Sequence, residues 1–128
     1  MAYNVLIVDD SHTMRTVIKK TVAISGFEIG ECWEAGDGLE ALNLVKDQWV
    51  DVVLTDVNMP RMNGLELVKA LKSDEATRHI PIVLITTEGS EARMREAYAL
   101  GIAGYIQKPF YPEAIRDALN RIMEAFHG

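Results

Sequence analysis

The sequence has 128 residues and a formal net charge of −6, with 48% apolar and 25% charged residues. This composition is typical of one globular domain and excludes a disordered chain. The acidic balance disfavours nucleic acid as a partner, because its phosphates attract lysine and arginine. The single cysteine, Cys32, excludes an internal disulfide, and no apolar run reaches the ~18 residues of a membrane span. We therefore expect one cytoplasmic domain over residues 1–128, without a membrane segment or a signal peptide.

The first half of the chain alternates between strand and helix patterns. Residues 5–8 form a continuous apolar run, as in a strand buried on both faces. A helix that ends before Gly26 follows, because residues recur at helical spacing: Met14, Val17, Ile18, Thr21 and Val22. Residues 29–33 alternate with glutamates and predict a more exposed edge strand. A second helix is predicted around Leu39, Ala41, Leu42 and Val45, and residues 52–54 predict a third, buried strand.

The second half of the chain repeats this alternation. A third helix is predicted from Leu65, Leu67, Val68 and Leu71, and residues 82–85 form a fourth apolar run. Met94, Ala97, Tyr98 and Leu100 predict a helix before Gly101, and residues 105–106 predict the fifth strand. The last helix begins near Pro112 and has the cleanest apolar stripe. Five strand–helix units in this order predict an α/β fold, with helices covering both faces of a parallel sheet.

Polar residues follow four of the five predicted strands. Asp9 and Asp10 follow the first strand, Asp56 closely follows the third, Thr86 and Thr87 follow the fourth, and Lys108 follows the fifth. Ligands of open α/β sheets bind beyond the carboxyl ends of the strands. An aspartate there is also a common helix cap, although Ser11 is an equally good candidate for the first cap. The combination of acids, hydroxyls and an amine predicts one shared crevice.

The electrostatics of such a crevice predict a cation. Two carboxylates about 5 Å apart repel each other by ~3 kcal/mol at an effective dielectric constant of ~20. Lys108 supplies one compensating positive charge, and a hard divalent ion such as Mg²⁺ suits ligands that are all oxygens. A carboxylate held ionised beside such charges can attack a phosphoryl donor.

Five segments of the sequence resemble the response-regulator receiver domains. They are residues 5–15 (VLIVDDSHTMR), 34–42 (EAGDGLEAL), 54–67 (LTDVNMPRMNGLEL), 86–88 (TTE) and 101–110 (GIAGYIQKPF). The resemblance covers nearly the whole chain. It implies a flavodoxin-like, doubly wound, five-stranded parallel sheet of order 2-1-3-4-5 with five helices. It also implies a single receiver (response regulatory) domain over residues 1–128 with no output domain.

The resemblance implies a role for each residue at the strand ends. Asp56 matches the phosphoacceptor, and Asp9 and Asp10 match the acidic pair that positions Mg²⁺ (or Mn²⁺) together with Asp56. The backbone carbonyl of Val57 matches a further metal ligand. Lys108 matches the residue that contacts the phosphoryl group, and its bond to Pro109 is commonly cis in this family.

Four more positions match the switch and its tuning. Thr86 matches the hydroxyl that bonds the phosphoryl group after activation, while alternation along a strand directs Thr87 the other way. Tyr105 matches the switch aromatic, which turns inward when the threonine moves. Asn58 and Glu88 match positions that tune loss of the phosphoryl group.

The function implied is two-component signal transduction. A sensor histidine kinase or a phosphotransfer protein would phosphorylate Asp56, and a rearranged surface would then bind a downstream protein. The expected docking face is the fourth helix, fifth strand and fifth helix, with Arg93, Tyr105, Lys108 and Arg116. Among receivers the chain is most similar to stand-alone chemotaxis regulators, which makes a flagellar motor switch component the expected partner. A phosphorelay shuttle is nearly as compatible.

Three other functions are alternatives to this interpretation of the sequence. An aspartate-nucleophile phosphatase has an acid two residues after its nucleophile, whereas Asn58 is an amide and a poor proton donor. A flavodoxin-like FMN carrier would place a phosphate near Asp9 and Asp10, which repel it. A receiver fold that binds partners without phosphorylation would have no evident use for three mutually repelling carboxylates.

Overall fold

The computed structural model describes residues 2–127, in which five strands alternate with five helices. The elements are β1 (Tyr3–Val8), α1 (His12–Ser25), β2 (Ile29–Ala35), α2 (Gly38–Asp47), β3 (Val52–Thr55), α3 (Gly64–Lys72), β4 (Ile82–Thr86), α4 (Glu91–Ala99), β5 (Gly104–Gln107) and α5 (Pro112–His127). The order predicted from hydrophobic patterning is therefore confirmed. None of the described helices combines the length and the apolar character needed to cross a lipid bilayer.

The five strands form one parallel sheet in the order β2-β1-β3-β4-β5. This is the flavodoxin-like order that the resemblance implied, and β2 lies at an edge as its alternating glutamates predicted. Val8, near the end of β1, pairs with Ala35 on β2 and with Thr55 on β3. In the pair formed by β4 and β5, Thr86 pairs with Gln107. The carboxyl ends of the strands therefore lie at the same end of the sheet, where β4 and β5 extend two residues beyond β1 and β3.

The sheet separates two apolar layers. Leu6 and Val8 of β1 face a cluster that contains residues of α2, α3 and α4, whereas Val5 and Ile7 face a cluster that contains residues of α1 and α5. Neighbouring residues on a strand point to opposite faces, so continuous apolar runs fill both layers. The helices thus cover both faces of the sheet, as predicted.

Side-chain caps define where the helices begin. The Ser11 side chain accepts a hydrogen bond from the Met14 N–H at 3.1 Å and caps α1. Asn63 forms a capping box with Glu66 at the start of α3. Because Ser11 caps α1, neither Asp9 nor Asp10 is needed for that purpose.

The helix α4 differs from its predicted packing. Tyr98, expected on the apolar face, is 46% exposed, and only Ala97 of this helix is buried. The reason is its composition, EARMREAYA, in which charged residues occupy most turns. Trp49 lies in the loop between α2 and β3 and is 76% exposed.

Candidate functional site

Backbone pairing places Asp9 and Asp56 side by side. The Asp9 N–H donates to the Ala35 carbonyl at 3.1 Å, and the Asp56 N–H donates to the Val8 carbonyl at 2.9 Å. Both aspartates therefore extend the ladders of the central strands by one residue. Asp9 is buried, Asp56 is partly buried and Asp10 is exposed.

The three aspartates form one acidic cluster. One carboxylate oxygen from each of Asp9, Asp10 and Asp56 lies within 4.8 Å of the others. Asp9 Oδ1 accepts a hydrogen bond from the Ser11 N–H, and Asp56 Oδ1 accepts one from the Val57 N–H. Among residues 2–127, Asp10 has no hydrogen-bond partner. The cluster thus concentrates three negative charges at the end of the sheet.

Lys108 is the positive charge in this crevice. Its N–H donates to the Thr86 carbonyl at 2.8 Å, which sets the position of the residue just beyond β5. The Lys108 Nζ lies 3.2 Å from an Asp9 oxygen and 3.5 Å from an Asp56 oxygen, and the side chain is 11% exposed. The bond between Lys108 and Pro109 is cis. One ammonium group against three carboxylates leaves a formal charge of −2.

The donor atoms of this cluster fit a hard divalent cation. All three side chains present carboxylate oxygens, and a charge of −2 is balanced by one dication. The Val57 carbonyl accepts a hydrogen bond from the Gly64 N–H at 2.8 Å. A carbonyl oxygen has a second lone pair, so this bond leaves Val57 able to act as a further ligand.

The two threonines after β4 have different surroundings. Thr86 is buried, and its Oγ1 accepts a hydrogen bond from the Glu88 N–H at 3.2 Å. Thr87 is exposed and lines an apolar cavity of about 340 Å³ beside Lys108. This contrast agrees with the prediction that Thr87 points away from the position of Thr86.

Tyr105 forms a hydrogen bond with the loop that follows β4. Its ring packs against the core beside β4, and its hydroxyl donates a short hydrogen bond to the Glu88 carbonyl. Burial, with the nearby Glu88 carboxylate, raises the pKa of the Tyr105 hydroxyl, so the donor stays protonated at neutral pH. The sequence did not indicate that Thr86 and Tyr105 would both bond the backbone of Glu88.

The remaining predicted site residues lie outside the acidic cluster. Asn58 is exposed in the loop that follows Asp56. The Glu88 side chain pairs with Arg93 Nε at 3.3 Å, and Arg116 Nε pairs with Asp117 at 3.1 Å. Both arginines of the expected docking face therefore already have acidic neighbours.

The contacts of two arginines could not be predicted from the sequence. Arg15 Nη1 donates to the Asp9 carbonyl at 2.6 Å, and Arg15 Nε donates to Glu34 at 3.0 Å, which ties the loop after β1 to β2. Arg61 pairs with Asp37 across two loops. Such contacts depend on long side chains that reach between elements distant in sequence, so no local pattern reveals them.

The Asp37 carboxylate is buried, and both of its oxygens accept hydrogen bonds. Burial alone favours the neutral acid, but hydrogen bonds from the Glu40 N–H and from Arg61, together with the Arg61 charge, lower the pKa of the Asp37 carboxyl. Asp37 caps α2, a role that its place three residues before Glu40 could have indicated.

Comparison with known proteins gives a consistent result. The model of the response regulator receiver domain family matches residues 5–120. The chain is 42% identical over 124 residues to a chemotaxis protein CheY homolog of Campylobacter jejuni, covering 96% of this chain and 94% of the relative. It is 44% identical over 119 residues to chemotaxis protein CheY1 of Helicobacter pylori, covering 92% and 94%.

A solved structure supports the same assignment. The chemotaxis response regulator CheY4 of Vibrio cholerae superposes with a TM-score of 0.83 and 38% sequence identity, covering 95% of this chain and 99% of that chain. The fold, the matched family model and these relatives agree. The chain therefore belongs to the response regulator receiver domain family and is a CheY-like receiver of two-component signalling.

Proposed function

We propose that Asp56 accepts a phosphoryl group from the phosphohistidine of a sensor histidine kinase or phosphotransfer protein, with Mg²⁺ (or Mn²⁺) as cofactor. One observation carries this proposal: the Asp9, Asp10 and Asp56 oxygens converge within 4.8 Å while Lys108 Nζ lies 3.5 Å from Asp56. A core residue gains nothing from such crowding of like charges. Because the donor phosphohistidine is made from ATP, the proposal places the protein in the cytoplasm.

The reaction we propose is an in-line displacement by Asp56. A carboxylate oxygen attacks the phosphorus, a P–O bond forms, and the P–N bond of the phosphohistidine breaks. The bonding electrons return to the imidazole nitrogen, and the ring leaves as neutral imidazole because its other nitrogen carries a proton. The product is an acyl phosphate, from which water later releases inorganic phosphate and restores the Asp56 carboxylate.

The other residues have separate roles in this proposal. Bound Mg²⁺ supplies positive charge that offsets the charge on the transferred phosphoryl group. Asp9, Asp10, Asp56 and the Val57 carbonyl hold the ion. Lys108 moves from its carboxylate partners to the phosphoryl oxygens, because phosphorylation brings about −1.5 to −2 charges to this position.

We propose that switching begins at Thr86. Its hydroxyl oxygen accepts a hydrogen bond from the Glu88 N–H, while its O–H can donate, and a phosphoryl group on Asp56 would offer that O–H a charged acceptor that draws Thr86 away from Glu88. When Thr86 leaves Glu88, this residue keeps only its contacts with the Tyr105 hydroxyl and with Arg93. The change then reaches the face formed by α4, β5 and α5, with Arg93 and Arg116.

The proposed output is binding of a downstream protein through that face. The relatives in Campylobacter and Helicobacter are named chemotaxis proteins, which favours a flagellar motor switch component over a phosphorelay partner. Asn58 and Glu88 are proposed to tune how long the phosphoryl group remains, because a polar side chain at these positions can orient or obstruct the attacking water.

Incubation with acetyl phosphate tests the proposed function. The chain is expected to gain the mass of one phosphoryl group in Mg²⁺ and no mass in EDTA, because only the ion-loaded site offsets the developing charge. Asp56→Ala should abolish the gain, and Asp117→Asn, which alters an exposed acid on α5, should leave it unchanged. No mass gain in Mg²⁺, or a gain that persists in Asp56→Ala, would reject the proposal.

A further inference from the structure

The loop of residues 57–63, which joins β3 to α3 directly after Asp56, contains a strained residue. Arg61 has a φ of 62°, and it is the one residue besides glycine with a positive φ among residues 2–127. Residues with a Cβ rarely adopt this conformation. The Met62 N–H donates to the Pro60 carbonyl at 2.6 Å across Arg61, so the chain makes a very tight turn there.

Two contacts fasten this turn to the start of α2. Arg61 Nε and Nη2 each lie 2.7 Å from Asp37 Oδ2, while Asp37 Oδ1 accepts a hydrogen bond from the Glu40 N–H at 3.0 Å. Next to this ion pair, the Gly38 N–H donates to the Met62 carbonyl at 3.0 Å. A Cβ at Gly38 would lie 2.6 Å from the Met62 side chain, so the two segments are in close contact.

The base of the loop is also closed. The Gly64 N–H donates to the Val57 carbonyl at 2.8 Å, and a Cβ at Gly64 would overlap the Asp56 carbonyl oxygen. Val57 and Asn58 therefore lie on a short loop that is held at both its base and its tip. The Val57 carbonyl is a ligand in the proposed metal site, and Asn58 is the next residue in the chain.

The ion pair explains why an arginine is found in a conformation that favours glycine. Asp37 is 5% exposed, and a buried carboxylate without a partner is strongly destabilising. The Arg61 guanidinium reaches Asp37 from this turn, and its contact offsets the backbone strain. Glycine at position 61 would relieve the strain but leave Asp37 without this cation.

We propose that Arg61 is a positioning residue for the phosphoryl site: through its ion pair with Asp37 it holds the loop of residues 57–63 so that the Val57 carbonyl and Asn58 are fixed beside Asp56. This inference rests on the proposed function. Arg61 would thus influence the reaction indirectly, because its side chain contacts Asp37 and not the metal or the phosphoryl group.

Four variants and one control test the inference. Arg61→Ala removes the ion pair and keeps the strain, whereas Arg61→Gly removes both. Asp37→Asn breaks the pair from the other side and keeps the cap of α2, since asparagine is an equally good cap. Arg61→Lys keeps the charge without the planar fork. Arg95→Ala, which removes an exposed pair with Glu91 on α4, is the matched control.

The first readout is Mn²⁺ affinity, measured from the free-ion EPR signal. Residues that orient metal ligands typically change affinity by about tenfold or more, so Arg61→Ala, Arg61→Gly and Asp37→Asn should each weaken Mn²⁺ binding to that extent. Arg61→Lys should lie between them and the wild type, and Arg95→Ala should match the wild type. The second readout, the first-order rate of phosphoryl loss, should change severalfold in the same three variants.

The outcomes separate this inference from the proposed function. If the wild type takes up the phosphoryl group and Arg61→Gly matches it in both readouts, the ion pair serves the fold alone and the inference is wrong. Thermal melting identifies any variant that fails to fold, and Arg61→Gly, which relieves strain, guards against that outcome. If the wild type itself is not phosphorylated, the proposed function fails, while the Mn²⁺ measurement still tests the positioning role.

Discussion

Asp56→Asn is expected to stabilise the fold in metal-free buffer. At an effective dielectric constant of ~20, two carboxylates within 4.8 Å each repel Asp56 by about 3 kcal/mol, and Lys108 at 3.5 Å attracts it by about 5 kcal/mol. The exposure of Asp10 weakens one repulsion, so the net gain expected on removing the charge is about 1 kcal/mol. The asparagine Oδ1 can still accept the Val57 N–H bond that Asp56 accepts.

Urea unfolding in EDTA and in Mg²⁺ measures this effect. At a concentration of about 100 times its dissociation constant, Mg²⁺ should stabilise the wild type by about 2.7 kcal/mol. Mg²⁺ should stabilise Asp56→Asn much less, because this variant lacks one of the charged ligands. Asp117→Asn is the control and should respond to Mg²⁺ like the wild type. A loss of stability in EDTA for Asp56→Asn would show that the acidic cluster is not repulsive.

Lys108→Met is expected to have the opposite and larger effect. Lys108 pairs with Asp9 and Asp56, and removing one partner of a buried ion pair costs about 3 kcal/mol. The loss should be greatest in EDTA, where no other cation compensates the three carboxylates. Mg²⁺ should restore more stability to this variant than to the wild type, because its site carries one more negative charge.

The same unfolding experiment, with Lys20→Met as an exposed control on α1, measures this prediction. A double-mutant cycle sharpens it: Asp56→Asn should stabilise Lys108→Met by more than it stabilises the wild type, since the attraction from Lys108 is then absent. If Lys108→Met were as stable as the wild type in EDTA, the lysine would not be compensating the acidic cluster.

The sequence was sufficient to predict the elements of the fold and the acids at its strand ends. Continuous β-branched runs indicated buried parallel strands, and the rule that ligands bind at the carboxyl ends of such strands brought Asp9, Asp56 and Lys108 together. The strand order, by contrast, came from resemblance to receiver domains. Hydrophobic patterning alone does not say which strand lies next to β1.

Contacts between loops could not be predicted from the sequence. The pairing of Arg61 with Asp37 joins residues 24 positions apart, and the shared use of Glu88 by Thr86 and Tyr105 depends on the path of one loop. Helical periodicity also placed Tyr98 in the core, because spacing identifies a face but does not reveal whether a polar helix such as α4 packs closely.

Mapping the phosphorylated residue tests the central claim most directly. After incubation with acetyl phosphate and Mg²⁺, reduction with borohydride converts a phosphoaspartate into homoserine, which peptide mass spectrometry locates. We predict homoserine at position 56 and at no other aspartate, with none formed in EDTA. Homoserine at another aspartate, or equal modification without a divalent ion, would contradict it.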